Sequence, residues 1–163
     1  EEALCLRKAE PSDLDAVAGL EAECFPKAEA ATKEQFQERL KAYSNHFLLL
    51  FYAGRLISFI NGFVSNQKDL FDEMYENVSL HDEDGDWQMI FGVNTHPEFQ
   101  KRGIATKMMQ VFLEEVKKEG RKGAVLTCKK EKIPFYSCCG FVLEGKSASV
   151  HGDAEWYQMR RRF

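Results

Sequence analysis

The stretch from Trp87 to Thr106 constrains the fold more than any other part of the chain. It predicts a strand over residues 87–95, a short polar loop, and a helix over residues 103–118. The loop reads Gln-Lys-Arg-Gly-Ile-Ala from Gln100, and its small residues allow a ligand to approach the backbone closely. Because the free N–H groups and the dipole of a helix N-terminus favour an anion, the segment predicts an anion cradle. A glycine near a helix start also occurs simply to relieve crowding, so the motif alone leaves both interpretations open.

The rest of the chain alternates between strand and helix patterns. Two capping boxes, Ser12 with Asp15 and Thr32 with Gln35, predict the starts of two helices, and the second helix carries a stripe of Phe36, Leu40 and Tyr43. Shorter helices are predicted around residues 70–75 and 133–139. The predicted strands are residues 3–8, 46–52, 56–64, 87–95, 123–128, 141–149 and 155–160. This order predicts an α/β fold with a mixed sheet, in one domain over residues 1–163.

The charge balance excludes some classes of partner. With 22 basic and 26 acidic residues among 163, the formal charge is −4, which argues against nucleic-acid binding through a general cationic surface. An anion site must therefore be local, and Lys101, Arg102 and Lys107 provide local positive charge. Residues 65–86 form a long acidic segment. We interpret this segment either as a solvated surface or as a source of attraction for a cationic amine.

The location and metal content can also be predicted from composition. The first seven residues show no basic region followed by an apolar segment, and the longest apolar run, residues 47–53, is far shorter than the roughly 20 residues of a membrane span. Five cysteines without C-x-x-C spacing predict reduced thiols, with neither a disulfide framework nor a zinc site. We therefore expect a cytoplasmic protein without a metal or a membrane partner.

Two segments together resemble the acyl-CoA-binding core of the GNAT N-acetyltransferase superfamily. The first is Gln100-Lys101-Arg102-Gly103-Ile104-Ala105 after the strand, and the second is Pro134-Phe135-Tyr136 followed by Gly140-Phe141. Looser similarities point to the arylalkylamine (serotonin) N-acetyltransferase branch. They lie in residues 20–26, 78–81, 128–136 and 149–152. The resemblance implies a single-domain, mixed, mostly antiparallel sheet of about seven strands flanked by helices.

The resemblance also implies roles for particular residues. Acetyl-CoA is the expected acyl donor, with its pantetheine arm paired along the strand at Val93 and Thr95 and its pyrophosphate on the loop and helix start. The cofactor-binding residues implied are Val93, Asn94, Thr95, Gln100, Lys101, Arg102, Gly103, Ile104, Ala105 and Thr106. The Val93 N–H is expected to stabilise negative charge on the thioester oxygen. Tyr136 is the implied acid that protonates the departing thiolate, although a core tyrosine is the alternative.

The chain departs from the arylalkylamine pattern where the amine must lose a proton. Met89 and Phe91 stand at the two positions where histidines are expected, and neither side chain accepts a proton. The general base is therefore left open. Its candidates are His81, His96, His151, and Glu21 or Glu23 acting through water. Phe25, Pro26 and Phe36 fit either an aromatic acceptor pocket or ordinary core packing.

These observations predict an acetyl-CoA-dependent N-acetyltransferase that transfers the acetyl group directly to a small-molecule primary amine. An arylalkylamine-type acceptor is the finer expectation. Two alternatives are a non-catalytic CoA-binding regulatory domain and a protein acetyltransferase acting on lysine or an N-terminal amine. The oligomeric state is left open, with a homodimer as one alternative.

Overall fold

The computed structural model describes residues 3–163, so Glu1 and Glu2 of the predicted N-terminal segment lie outside the described residues. The described part forms two compact units, one of residues 3–61 with Gly92–Met109 and one of Gly62–Phe91 with Gln110–Phe163. The strands are β1 Leu4–Lys8, β2 Phe47–Tyr52, β3 Arg55–Asn61, β4 Val64–Ser65, β5 Trp87–Ile90, β6 Gly92–Thr95, β7 Gly123–Cys128, β8 Val142–Lys146 and β9 Tyr157–Arg162. The helices are α1 Leu14–Cys24, α2 Lys33–Tyr43, α3 Glu73–Glu76, α4 Ile104–Lys118 and α5 Ile133–Cys138.

The first unit is built on a four-stranded antiparallel sheet in the order β1-β2-β3-β6. Strands β2 and β3 form an antiparallel hairpin, and their two-residue turn places Ala53 and Gly54 at positive φ, as a type I′ turn requires. The side chains of Phe36, Phe47 and Phe59 are fully buried and meet edge-on or stacked at ring distances of 5.9 to 6.4 Å. Phe36 is therefore a core residue of this unit and does not line an acceptor pocket.

The two predicted capping boxes have different outcomes. Thr32 and Gln35 form theirs at the start of α2, with N···O distances of 2.8 and 3.1 Å. The other box is formed by Glu10 and Asp13, which cap a 3-10 turn before α1, so the prediction of Ser12 with Asp15 is wrong. Asp13 also accepts two hydrogen bonds from Arg7 at 2.9 Å, and that contact lowers its pKa. An ion pair between residues six positions apart thus stabilises the turn into α1.

The second unit contains a five-stranded sheet in the order β4-β5-β7-β9-β8. Only the β5–β7 pair is parallel, and β7–β9, β8–β9 and β4–β5 are antiparallel. Met89, Val125 and Met159 from the three central strands are fully buried. The predicted α/β class, with mixed and mostly antiparallel sheet flanked by helices, is thereby confirmed.

Seven predicted strands become nine because two of them are interrupted. The predicted strand 56–64 ends at Asn61 and resumes at Val64, since Gly62 packs so closely on the Met89 carbonyl that a Cβ there would collide with it. The predicted strand 87–95 breaks at Phe91, with β5 before it and β6 after it. Each interruption also marks a change of sheet, so the expected single sheet is two sheets.

Candidate functional site

Strand β6 offers an open backbone edge. It is the last strand of its sheet and pairs only with β3, in the register Phe59 to Asn94 and Ile60 to Val93. The His96 N–H donates to Ile57 O at 2.8 Å, so by the antiparallel alternation the backbone groups of Val93 and Thr95 point away from β3. An extended ligand can therefore pair with this edge as an added strand.

The chain after β6 forms a tight loop with two left-handed residues. His96 caps a 3-10 turn at Pro97–Phe99, and Gln100 folds back so that its Nε2 donates to Thr95 O at 3.1 Å. Lys101 then has φ +63° and Gly103 has φ +80°, and both residues are exposed. A side chain at residue 103 would meet no atom within 4 Å, so the glycine is required by its backbone conformation and leaves open space above the loop.

Helix α4 begins directly after this loop, and its N-terminus faces the same open space. The first intrahelical bond runs from the Lys107 N–H to Gly103 O at 3.1 Å, so the N–H groups of the preceding residues have no carbonyl of the helix to bond. Ile104 and Ala105 are partly exposed, and Thr106 is exposed. Arg102 lies over the Phe99 ring at 5.2 Å. Backbone donors and a helix dipole thus meet at a site suited to a phosphate or pyrophosphate, and the exposed Lys101 and Arg102 add positive charge to the loop.

Tyr136 lies in the second unit, on the short helix α5 that Pro134 begins. Its ring packs edge-on against Phe135 at 5.0 Å and Phe141 at 6.0 Å. Burial raises the pKa of its phenol well above the ordinary value, with smaller contributions from Cys128 and Cys139. The hydroxyl therefore keeps its proton at neutral pH, as a proton donor must.

Two of the candidate histidine bases are held in structural hydrogen bonds. The Nδ1 of His96 accepts from the Glu98 N–H at 3.1 Å, while its Nε2 lies 2.8 Å from Arg55 and 3.1 Å from Glu23. The Nδ1 of His81 accepts from the Val64 N–H at 3.1 Å, and its Nε2 lies 2.9 Å from Glu83. Neither imidazole keeps a nitrogen for an acceptor amine.

His151, the third histidine, belongs to an aromatic stack in the second unit. It stacks on Tyr75 at 5.4 Å and lies 5.9 Å from Trp156. The Tyr75 hydroxyl is held by Thr127 Oγ1 at 2.9 Å, and its ring touches Phe91 at 4.9 Å. Phe91, which stands where a histidine was expected, thus belongs to a cluster of aromatic side chains with Tyr75 and His151.

Glu21 is a candidate base whose carboxylate is held by hydrogen bonds on both oxygens. It is a buried carboxylate on α1, with 6% of its surface exposed. Its Oε1 accepts from Asn94 Nδ2 and its Oε2 from the Ala31 N–H, each at 2.9 Å. Asn94 therefore turns its side chain towards α1 and away from the open edge of β6.

Three of the five thiols are deactivated by burial. Burial raises the pKa of Cys24 and of Cys128 to about 11, and it also raises the pKa of Cys139. All five cysteines are free thiols. Since the thiolate is the reactive form, these three side chains are poor nucleophiles.

The acidic segment is tied down by hydrogen bonds rather than freely solvated. Asp69 accepts from Arg160 Nη2 at 2.6 Å, and Asp72 accepts from Ser149 Oγ and from the Val150 N–H. Arg160 is only 2% exposed and also donates to Glu144 at 2.8 Å, a contact that lowers the pKa of Glu144. Residues 68–72 are therefore fastened to strands of the second sheet and the loop beside them.

A protein-family model matches most of the chain and shows which family it belongs to. Residues 14–141 match the model of the acetyltransferase (GNAT) family. The chain belongs to the GNAT acetyltransferase family. Comparison with curated proteins gives no match.

Several solved GNAT-type structures share the fold at low sequence identity. The loading GNATL domain of CurA from Lyngbya majuscula has a TM-score of 0.88 at 15% identity, covering 98% of this chain and 97% of that one. The GphF GNAT-like decarboxylase in complex with isobutyryl-CoA has a TM-score of 0.83 at 18% identity, covering 97% and 98%. The PaiA N-acetyltransferase from Thermoplasma acidophilum in complex with coenzyme A has a TM-score of 0.72 at 15% identity, covering 98% and 99%.

The GNAT assignment accounts for the predicted loop and leaves the finer predictions open. The structure brings Val93, Thr95 and residues 100–106 together in the first unit, while Tyr136 belongs to the second. The assignment of this chain to the arylalkylamine branch stays a prediction. In the described residues, no helix is long and apolar enough to cross a membrane.

Proposed function

We propose that this GNAT protein is an acetyl-CoA-dependent N-acetyltransferase that acts on a primary amine by direct transfer. The observation that carries the proposal is the open edge of β6 leading into a loop with Gly103 at φ +80° and a free helix N-terminus. These features fit the two ends of the donor's CoA portion, since an extended amide arm pairs with a strand edge and a pyrophosphate suits the helix start. Val93 and Thr95 would bind the arm, and Gln100, Lys101, Arg102, Gly103, Ile104, Ala105 and Thr106 the phosphates.

Acetyl-CoA supplies an activated acetyl thioester, and the chain supplies charge stabilisation and proton transfer. The Val93 N–H, directed to the open edge, would donate to the thioester oxygen as negative charge grows there. Tyr136 would return a proton to the departing thiolate. Its raised pKa keeps the phenol protonated, and its ring packs against Phe135 and Phe141. The raised pKa of the Cys24, Cys128 and Cys139 thiols supports transfer without an acyl-enzyme.

The acceptor that we propose is a small amine, with an arylalkylamine as the finer expectation. The aromatic contacts among Tyr75, Phe91, His151 and Trp156 support an acceptor with an apolar or aromatic part. The five free thiols support a reducing compartment such as the cytoplasm. No metal has a role in this proposal.

A second candidate function is decarboxylation of an acyl-CoA. One structural neighbour is a GNAT-like decarboxylase, and two histidines of this chain are held in hydrogen bonds that leave no nitrogen for an amine. Loss of CO₂ from a 2-carboxyacyl thioester such as malonyl-CoA leaves a carbanion that needs a proton, so such a reaction requires a donor such as Tyr136 and no base for an amine.

A panel of substrates separates these functions. Thiol release from acetyl-CoA is measured with arylalkylamines, polyamines, aminoglycosides and peptides, and CO₂ release is measured with malonyl-CoA. We expect amine-dependent thiol release that is strongest with small amines. Preference for peptides would indicate a protein acetyltransferase, and CO₂ release without amine transfer would indicate a decarboxylase. CoA binding without either reaction would indicate a regulatory domain.

A further inference from the structure

Asn94 carries a buried acceptor atom that the fold does not satisfy. Asn94 is 1% exposed, and its Nδ2 donates to Glu21, which fixes the orientation of the amide because a carboxylate oxygen only accepts. The Oδ1 of Asn94 then has no hydrogen-bond partner among residues 3–163. A buried acceptor without a hydrogen bond costs about 1–3 kcal/mol of stability. Such an atom therefore points to a ligand or a bound water.

The space that this oxygen faces exists because residue 92 is glycine. A Cβ on Gly92 would lie 3.2 Å from Asn94 Oδ1, 3.4 Å from Asn61 Nδ2 and 3.9 Å from Glu21 Oε1. The Oδ1 of Asn61 accepts from Arg39 Nη1 at 2.9 Å, so its amide nitrogen is the atom turned to this space. We call the space bounded by Glu21, Asn61, Gly92 and Asn94 the Gly92 niche.

The Gly92 niche has the polar pattern of a water site. It presents one donor, on Asn61, and two acceptors, on Asn94 and Glu21. A water molecule donates two hydrogen bonds and accepts up to two, and buried waters typically make about three bonds, so a water bonded to all three groups can still accept a proton from a ligand. Gly92 itself is partly exposed, which leaves the niche accessible beside Val93, the residue proposed to contact the thioester.

We propose that a water in the Gly92 niche relays a proton from the acceptor amine to Glu21, which makes Glu21 the general base. This inference rests on the proposed transferase function. The water takes a proton from the ammonium group and gives one of its own to Glu21 Oε1, and Glu21 later releases it to solvent. The amine nitrogen then forms the C–N bond while the C–S bond breaks. Tyr136 gives its proton to the thiolate, and the second proton lost by nitrogen passes through solvent and restores the Tyr136 hydroxyl.

Glu21 is the titratable group among the residues that bound the niche. On α1, Cys24 remains a thiol because its pKa is raised to about 11 by burial, with the Glu21 charge as a lesser cause. On α2, the guanidinium of Arg39 donates to Asn61, which bounds the niche. Glu23, two residues from Glu21, is paired with His96 at 3.1 Å, and β6 contributes no ionisable side chain.

The pH profile of the Glu21→Gln variant tests the relay. Without a base, only the spontaneously deprotonated amine reacts, and its fraction grows tenfold per pH unit up to the amine pKa of about 10. We expect kcat/KM to fall about 100-fold at pH 7 and the deficit to shrink as pH rises. Asp15→Asn, which changes an exposed carboxylate on the same helix, keeps the wild-type profile. A deficit that is constant with pH, or absent, overturns the inference.

The Gly92→Ala variant tests the niche while leaving Glu21 in place. The added methyl group would occupy the space within 3.2 Å of Asn94 Oδ1 and displace the water. We expect the same pH-dependent deficit as in Glu21→Gln, with unchanged CoA affinity. Gly19→Ala on α1, where a Cβ meets nothing within 4 Å, is the matched control and retains full activity. An active, wild-type-like Gly92→Ala enzyme contradicts the proposal.

A crystal structure supplies a readout that does not depend on turnover. We expect a water bonded to Asn94 Oδ1 and Asn61 Nδ2 in the wild type and none in Gly92→Ala. If the water is present but no amine is acetylated, the proposed function fails and the niche stands. If amines are acetylated and the niche holds no water, the relay fails and the proposed function stands.

Discussion

At the scale of single residues, Tyr136 is the side chain on which proton return to the thiolate depends. Its phenol is protonated at neutral pH because burial raises its pKa, and the neighbouring Phe135 and Phe141 rings hold its orientation. Replacing Tyr136 by Phe keeps the ring and removes only the hydroxyl. We expect kcat to fall about 100-fold with little change in the Kd for CoA, measured by steady-state kinetics and calorimetry. Unchanged kcat would remove Tyr136 as the acid.

At the scale of elements, the two ends of α4 allow a matched test of the anion cradle. Gly103 before the helix and Gly120 after it have φ of +80° and +83°, and neither has an atom within 4 Å of a Cβ position. Alanine at either residue should therefore cost a similar amount of stability, about 1–2 kcal/mol. Only Gly103→Ala should also weaken CoA binding, because it alone changes the loop at the helix N-terminus. Equal CoA affinity in both variants would contradict the cradle.

Also at this scale, Arg160 on β9 fastens the acidic segment to the second sheet. Its guanidinium donates to Glu144, Asp69 and the Lys68 carbonyl, and it lies over the Trp87 ring at 4.6 Å. We expect Arg160→Met to lower the free energy of unfolding by about 2–3 kcal/mol, measured by urea titration, because charged hydrogen bonds are lost. Arg162→Met is the control, since Arg162 lies over the same ring but is exposed. Equal losses in both variants would assign the effect to the ring contact.

The elements that the sequence predicted are those that depend on local rules. The Thr32–Gln35 box needs only neighbours in the chain, and its prediction is confirmed. The Ser12–Asp15 box was wrong because the competing Glu10–Asp13 box is reinforced by Arg7, a contact that spacing rules do not contain.

At the scale of the whole molecule, the predictions failed where distant segments meet. The runs 56–64 and 87–95 are continuous in sequence, and the close approach of Gly62 to Met89 becomes visible only in the folded chain. Likewise, Asn94 and Glu21 are 73 residues apart, so sequence reasoning assigned Asn94 to the cofactor and left Glu21 as one base among several. Asn61 was not singled out, although a polar residue within an apolar strand is the signal that could have done so.

The charge distribution of the whole molecule agrees with an anionic donor and a cationic acceptor. The net charge is −4, yet Lys101 and Arg102 are exposed at one helix start. The acidic segment lies in the other unit and is held by hydrogen bonds, with its remaining carboxylates exposed. Local fields of opposite sign can therefore coexist on a chain with little net charge.

The most direct test of the central claim is a single-turnover experiment with acetyl-CoA labelled in the acetyl group. Enzyme in excess is mixed with the labelled donor and a reactive amine from the panel, and both the amine and the intact protein are followed by mass spectrometry. We predict that the label moves to the amine at the rate of thiol release and that the protein stays unlabelled. Label on the protein before the amine, or thiol release without a labelled amine, would contradict direct transfer.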